Sequence, residues 1–79
     1  MDVFYLSKVF NRLTGMNFKT YVNMTRVLLS EEKLKNSSET IVDIAFECGF
    51  NSIRNFNRVF KAINAQTPSE FRKIEEAKR

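Results

Sequence analysis

The sequence predicts an all-α fold built around a helix-and-turn unit that occurs twice. Three observations point there. Only two Gly and one Pro punctuate the 79 residues. Apolar residues recur at helical rather than alternating spacing. Residues 5–22 (YLSKVFNRLTGMNFKTYV) also lie over residues 55–72 (NFNRVFKAINAQTPSEFR) at an offset of fifty. Val9-Phe10 returns as Val59-Phe60, Lys8 as Arg58, Leu6 as Phe56, Leu13 as Ile63 and Tyr21 as Phe71.

Each element can be justified in turn. Asp2 is placed to cap a first helix over residues 3–14, with Leu6, Val9, Phe10 and Leu13 facing a core at i, i+3, i+4, i+7 spacing. Gly15 supplies the left-handed residue that stops it. Asn17 caps the longest helix, residues 18–35, whose expected buried face is Phe18, Tyr21, Val22, Thr25, Leu28, Leu29 and Leu34. Asn36-Ser37-Ser38 breaks that helix. Thr40 with Asp43 opens a short helix running through Cys48, with Ile41, Ile44, Ala45 and Cys48 on one face and Gly49 at its end. Ser52 caps a helix over residues 53–64 with an inner stripe of Ile53, Phe56, Val59, Phe60 and Ile63. Thr67-Pro68-Ser69-Glu70 is a full capping box with Pro at the first helical position. It starts a last helix over residues 68–77, with Phe71 and Ile74 inward.

Charge divides the chain into three. Residues 1–29 carry Lys8, Arg12, Lys19 and Arg26 against Asp2, a net +3. Residues 30–49 carry Glu31, Glu32, Glu39, Asp43 and Glu47 against Lys33 and Lys35, a net −3. Residues 50–73 carry Arg54, Arg58, Lys61, Arg72 and Lys73 against Glu70, a net +4. Two basic units flanking an acidic spacer are the footprint of two contact points on a polyanion. Two solvated helix faces would look the same on charge alone.

The constellation in residues 40–64 adds specificity. A helix-turn-helix needs a small residue where its second helix crosses the first, and Gly where the chain swings sharply. Ala45 and Gly49 supply these, with Phe50 and Phe56 filling the corner. Once the inner stripe is assigned to the core, Arg54, Asn55, Asn57, Arg58 and Lys61 must face outward, with Ile53 at the exposed tip. Arg pairs bidentately with guanine, Asn with adenine, and an aliphatic tip touches a thymine methyl. The N-terminal end of a recognition helix is the part that reaches base edges. Shifted by fifty, the same face becomes Val3, Phe4, Ser7, Lys8 and Asn11, a less charged copy. There the Phe4-Tyr5 pair lies against thymine methyls and sugars or packs on protein. A central helix of 18 residues spans ~27 Å, which sets two such helices roughly one turn of B-DNA apart, ~34 Å.

YLSKVFNRLTGMNFKTYV, IVDIAFECGFNS and FNRVFKAINAQTPSEFRK together resemble the C-terminal DNA-binding domain of AraC/XylS-type bacterial transcription regulators. The resemblance covers essentially the whole chain, residues 1–79. It implies a homeodomain-like fold of two helix-turn-helix units joined by a long central helix, bound to asymmetric promoter sites. The units would be residues 1–15, the end of a first unit, and residues 40–64, a complete second one. Base contacts carried over by motif position are Ile53, Arg54, Asn55, Asn57 and Arg58, and in the first unit Phe4, Ser7 and Lys8. Lys61, Asn11 and Ser52 map to the DNA backbone. Ala65 stands where the family has a turn Gly, and Ser30 and Lys33 where its middle helix has Ala and Leu.

Met1 lies opposite Asn51, so nothing in the chain matches the support that residues 40–50 give the second unit. The first unit is therefore expected to be incomplete, N-terminally truncated, with the inner side of Leu6, Val9 and Phe10 open to a second copy. The implied partner is double-stranded promoter DNA, with RNA polymerase a candidate second one.

Other classes are disfavoured. No run of about 18 apolar residues exists to span a membrane, so a cytoplasmic location is expected. With no His, one Cys and no Gly-rich phosphate loop, no catalytic set, metal site or cofactor is expected. Cys48 reads as a buried small hydrophobe. The alternative function is a helical protein-interaction fragment.

Overall fold

The computed structural model describes residues 3–78, with side chains for residues 8, 9 and 11–78. Asp2, expected as a helix cap, lies outside the described residues, as do the side chains of Val3, Phe4, Tyr5, Leu6, Ser7 and Phe10. Five helices follow one another: α1 (Val3–Thr14), α2 (Phe18–Asn36), α3 (Ile41–Glu47), α4 (Ile53–Asn64) and α5 (Pro68–Ala77). α2 runs one residue past the expected end, and α3 stops one residue short, with Cys48 as its C-cap.

Local chemistry fixes the helix starts. The side chains of Asn17, Thr40, Ser52 and Thr67 accept from the backbone N–H groups of Lys19, Asp43, Asn55 and Glu70. Each satisfies one of the donors that a helix N-terminus leaves unpaired. At Thr67 the capping box is reciprocal, since the Glu70 carboxylate accepts from the Thr67 N–H at 2.9 Å. Gly15, Gly49 and Ala65 take positive φ, at 72°, 95° and 60°. Ala65 thus adopts a left-handed conformation that its Cβ disfavours.

α2 is the axis, meeting each of the other four helices. The core lies around its C-terminal half, where Val27 and Leu34 pack with Ile44, Ala45, Cys48, Phe50, Phe56, Val59, Phe60 and Phe71. Phe50, Phe56, Phe60 and Phe71 run through it as a chain of rings with centroids 4.9, 5.6 and 5.5 Å apart. The last two contacts are edge-to-face, the arrangement favoured by the ring quadrupole.

The buried face of α2 differs from the expected one. Leu34 is buried as expected, but it is joined by Val27 and Ser30, whereas Tyr21, Thr25, Leu28 and Leu29 are exposed. Ser30 is fully buried because its Oγ donates to the Val27 carbonyl at 2.6 Å, so its hydroxyl needs no partner outside its own helix. Three further residues expected to face inward are also exposed: Leu13 at 79%, Ile63 at 44% and Ile74 at 47%. Leu13 and Ile63 are repeat equivalents, and Ile63 lies beyond Phe60, the last buried residue of α4. Ile53, read both as the start of the inner stripe and as an exposed tip, is half-buried and packs against the core.

Arg72 ties α5 to the α2–α3 connection. Its guanidinium donates to the carbonyls of Leu34 (3.3 Å), Glu39 (2.6 Å) and Ser37 (3.3 Å). A residue counted in the basic footprint therefore serves to hold the fold.

Candidate nucleic-acid interface

The geometry of the interface starts from the turn. Ala45 is fully buried, and Phe50 and Phe56 fill the corner between α3 and α4. At Gly49 the backbone is left-handed, and a Cβ would sit 2.9 Å from Nε of Arg26. Glycine there meets a conformational need and makes room for an arginine from α2.

Burial of Phe56, Val59 and Phe60 fixes the rotation of α4. On a helix of 3.6 residues per turn, this turns the stripe Arg54, Asn57, Arg58 and Lys61 to solvent. All four are exposed. No Asp or Glu occurs in α4, so the stripe is uniformly basic or neutral. Asn55 is half-buried at its edge, where its Oδ1 accepts from Arg58 at 2.7 Å and its Nδ2 donates to Asn51 Oδ1 at 3.4 Å. The Ser52 hydroxyl accepts from Asn55 N at 3.0 Å as the helix cap. On α1, Lys8 and Asn11 are exposed; the side chains of Phe4 and Ser7 lie outside the described residues.

A groove of about 770 Å³ runs between α2 and the start of α4. It gathers Asn51, Asn55 and Arg58 with Lys19, Asn23 and Arg26 of α2. The α2 contribution was not read from the sequence, although Lys19, Asn23 and Arg26 recur at i, i+4, i+7, the spacing of one helix face.

Two charges of the acidic segment, Glu39 and Glu47, are engaged elsewhere. Lys33 bridges Glu47 at 3.0 Å and Glu39 at 3.7 Å. The hydrogen bond with Glu47 raises the Lys33 ammonium above its ordinary value and holds the Glu47 carboxyl below its own. Burial pushes the Cys48 thiol up, so it is a packed, protonated side chain.

Over 68 residues the chain is 40% identical to an uncharacterized HTH-type transcriptional regulator of Staphylococcus aureus strain MSSA476, covering 86% of this chain and 9% of that protein. It is 34% identical over 68 residues to the regulatory protein SoxS of Escherichia coli K12, covering 86% of this chain and 64% of SoxS. The chain thus spans under a tenth of the staphylococcal relative and under two thirds of SoxS. The solved DNA-binding domain of AdpA, in complex with a target DNA, superposes with a TM-score of 0.90 at 25% identity, covering 100% of this chain and 71% of that one. These likenesses describe an all-α HTH-type regulatory domain, broadly related to AraC/XylS-type folds. A family model described as "Helix-turn-helix domain" matches residues 1–74, and the chain belongs to that family.

Proposed function

We propose that the chain is the sequence-specific, double-stranded DNA-binding module of a bacterial transcription regulator, with α4 seated in the major groove. The observation that carries this reading is the α4 stripe. Arg54, Asn57, Arg58 and Lys61 stand exposed on a helix whose opposite stripe is locked in the core. Arg and Asn suit guanine and adenine edges, and Ile53 and Asn55 lie at the N-terminal end that approaches the bases. Lys61, Asn11 and Ser52 are assigned to the backbone. The AdpA domain's complex with its target DNA supports the assignment by likeness of fold. The chain is a regulatory domain and not an enzyme.

A finer reading makes this an AraC/XylS-type pair of helix-turn-helix units. In it α1 is the reading helix of a first, incomplete unit, using Phe4, Ser7 and Lys8, and α2 is the linker. The repeat at offset fifty supports it. So does length: the 19 residues of α2 span ~28 Å. The molecule's 43 Å long axis accommodates two reading helices about 34 Å apart, one turn of B-DNA. Unequal faces on α1 and α4 then imply an asymmetric site. Within this reading the protein acts in the cytoplasm on promoter DNA, and RNA polymerase or a second copy packed on the first unit are its candidate protein partners.

Selection from a randomised duplex pool tests the proposal. The folded chain should enrich a short asymmetric motif. A pool unchanged after repeated rounds at low salt would refute it and favour a protein-interaction role.

A further inference from the structure

We propose that the groove between α2 and α4 seats the DNA backbone, with Lys19 and Arg26 holding phosphates of the strand beside the α4 reading face. The inference rests on the DNA-binding reading above and extends the contact surface onto α2, the helix that reading treats as a spacer.

The groove is built for a polyanion. Lys19, Arg26 and Arg58 contribute three cations, and Asn23, Asn51 and Asn55 contribute amides. No acidic residue lines it. Among the described residues, no carboxylate lies within ion-pairing distance of Lys19, Arg26 or Arg58. Glu47, the acidic residue nearest in sequence to the turn, is held instead by Lys33. Three uncompensated cations facing one cleft repel one another, and a row of phosphates relieves that repulsion.

Dimensions favour a strand over a single ion. Lys19 and Arg26 are seven residues apart on one helix, ~10 Å along its axis, too far apart for one phosphate and far enough to engage two of the same strand. Amide donors between the cations suit phosphate oxygens, which accept most protein–DNA hydrogen bonds. Gly49 makes the site possible, because only a residue without Cβ lets Arg26 lie this close to the turn. Arg58 belongs to both surfaces, so a strand in the groove would run directly into the base-reading stripe.

Salt-dependent binding of the 79-residue chain to a selected and a random duplex tests the inference. Lys19→Ala and Arg26→Gln should each weaken both duplexes alike, by about fivefold near 0.15 M salt, and flatten the slope of log affinity against log salt by ~0.9. The selected motif should not change. A purely structural role for Arg26 would lower the melting temperature and leave that slope unaltered. Lys19 is exposed, so Lys19→Glu keeps the test decisive if the Arg26 variant unfolds; it should weaken both duplexes more than Lys19→Ala does. Unchanged affinity and slope in the Lys19 variants, with Arg58→Ala still relaxing sequence preference, would overturn the groove and leave the function standing. A wild-type chain that binds no duplex would overturn both.

Discussion

Arg58 donates through its guanidinium to the side-chain oxygen of Asn55 at 2.7 Å, one helical turn away on α4. Asn55 in turn reaches Asn51, so the arginine at the centre of the reading stripe is oriented before any ligand arrives. Preorganisation of this kind lowers the side-chain entropy lost on binding. The two residues should therefore act as a unit. In a double-mutant cycle of Asn55→Ala and Arg58→Ala, measured on a selected duplex, the coupling should exceed ~0.5 kcal/mol. Additive effects would mean that the contact has no part in recognition.

Arg72 fastens α5 to the end of α2 and the α2–α3 connection. Three carbonyls at the α2–α3 connection accept from one guanidinium, and Arg72→Ala leaves them without it. Loss of about 2–3 kcal/mol is expected in urea unfolding. Lys presents a point charge where the site uses a planar fork, so Arg72→Lys should recover less than half of that.

Two turn positions should respond in opposite directions. Gly49→Ala places a Cβ in left-handed backbone and 2.9 Å from Arg26 Nε. It should cost about 1–3 kcal/mol. Ala65 already carries that strain at φ 60°, and Ala65→Gly should raise stability by about 0.5–1 kcal/mol after the added freedom of the unfolded chain is counted. Thermal melting of the two variants checks both signs.

Acid should loosen α5. Hydrogen bonds from the Thr67 backbone and then its side chain hold the Glu70 carboxyl below its ordinary value of 4.5. A depressed folded value gives stability that is complete above 4.5 and lost as pH falls through the folded value. Glu47, held down by Lys33, adds loss of the same sign. The melting temperature should drop as pH falls below about 5 and through the depressed folded values, and Glu70→Gln should make that drop shallower. Superimposable pH profiles would remove Glu70 from the account.

What the sequence disclosed was local. Asn17, Thr40, Ser52 and Thr67 act within three residues of themselves, so their caps could be read without knowing the fold. The rotation of α4 was equally legible, because its apolar residues form one dominant stripe. α2 was not, since it meets four helices and carries apolar residues on more than one face. Hydrophobicity favoured Leu28 and Leu29 as well as Leu34, yet packing selected only Leu34 of these, with Val27 and Ser30. A serine that satisfies its own hydroxyl is small enough to let a neighbouring helix approach, which polarity alone hides. Arg72 was misread for the same reason: charge says nothing about carbonyls 33 to 38 residues away. The α2 side of the basic groove became visible only once the fold placed Lys19 and Arg26 beside Arg58.

The most direct measurement is base-by-base affinity of Arg58→Ala beside Lys61→Ala, on the selected duplex and its single-base variants. If α4 reads the major groove, Arg58→Ala loses ~1–3 kcal/mol on the selected duplex and relaxes one base position. Lys61→Ala should then weaken every duplex alike, as expected for a phosphate contact. An Arg58→Ala chain that keeps both its affinity and its base preferences would contradict the assignment of α4 as the reading helix.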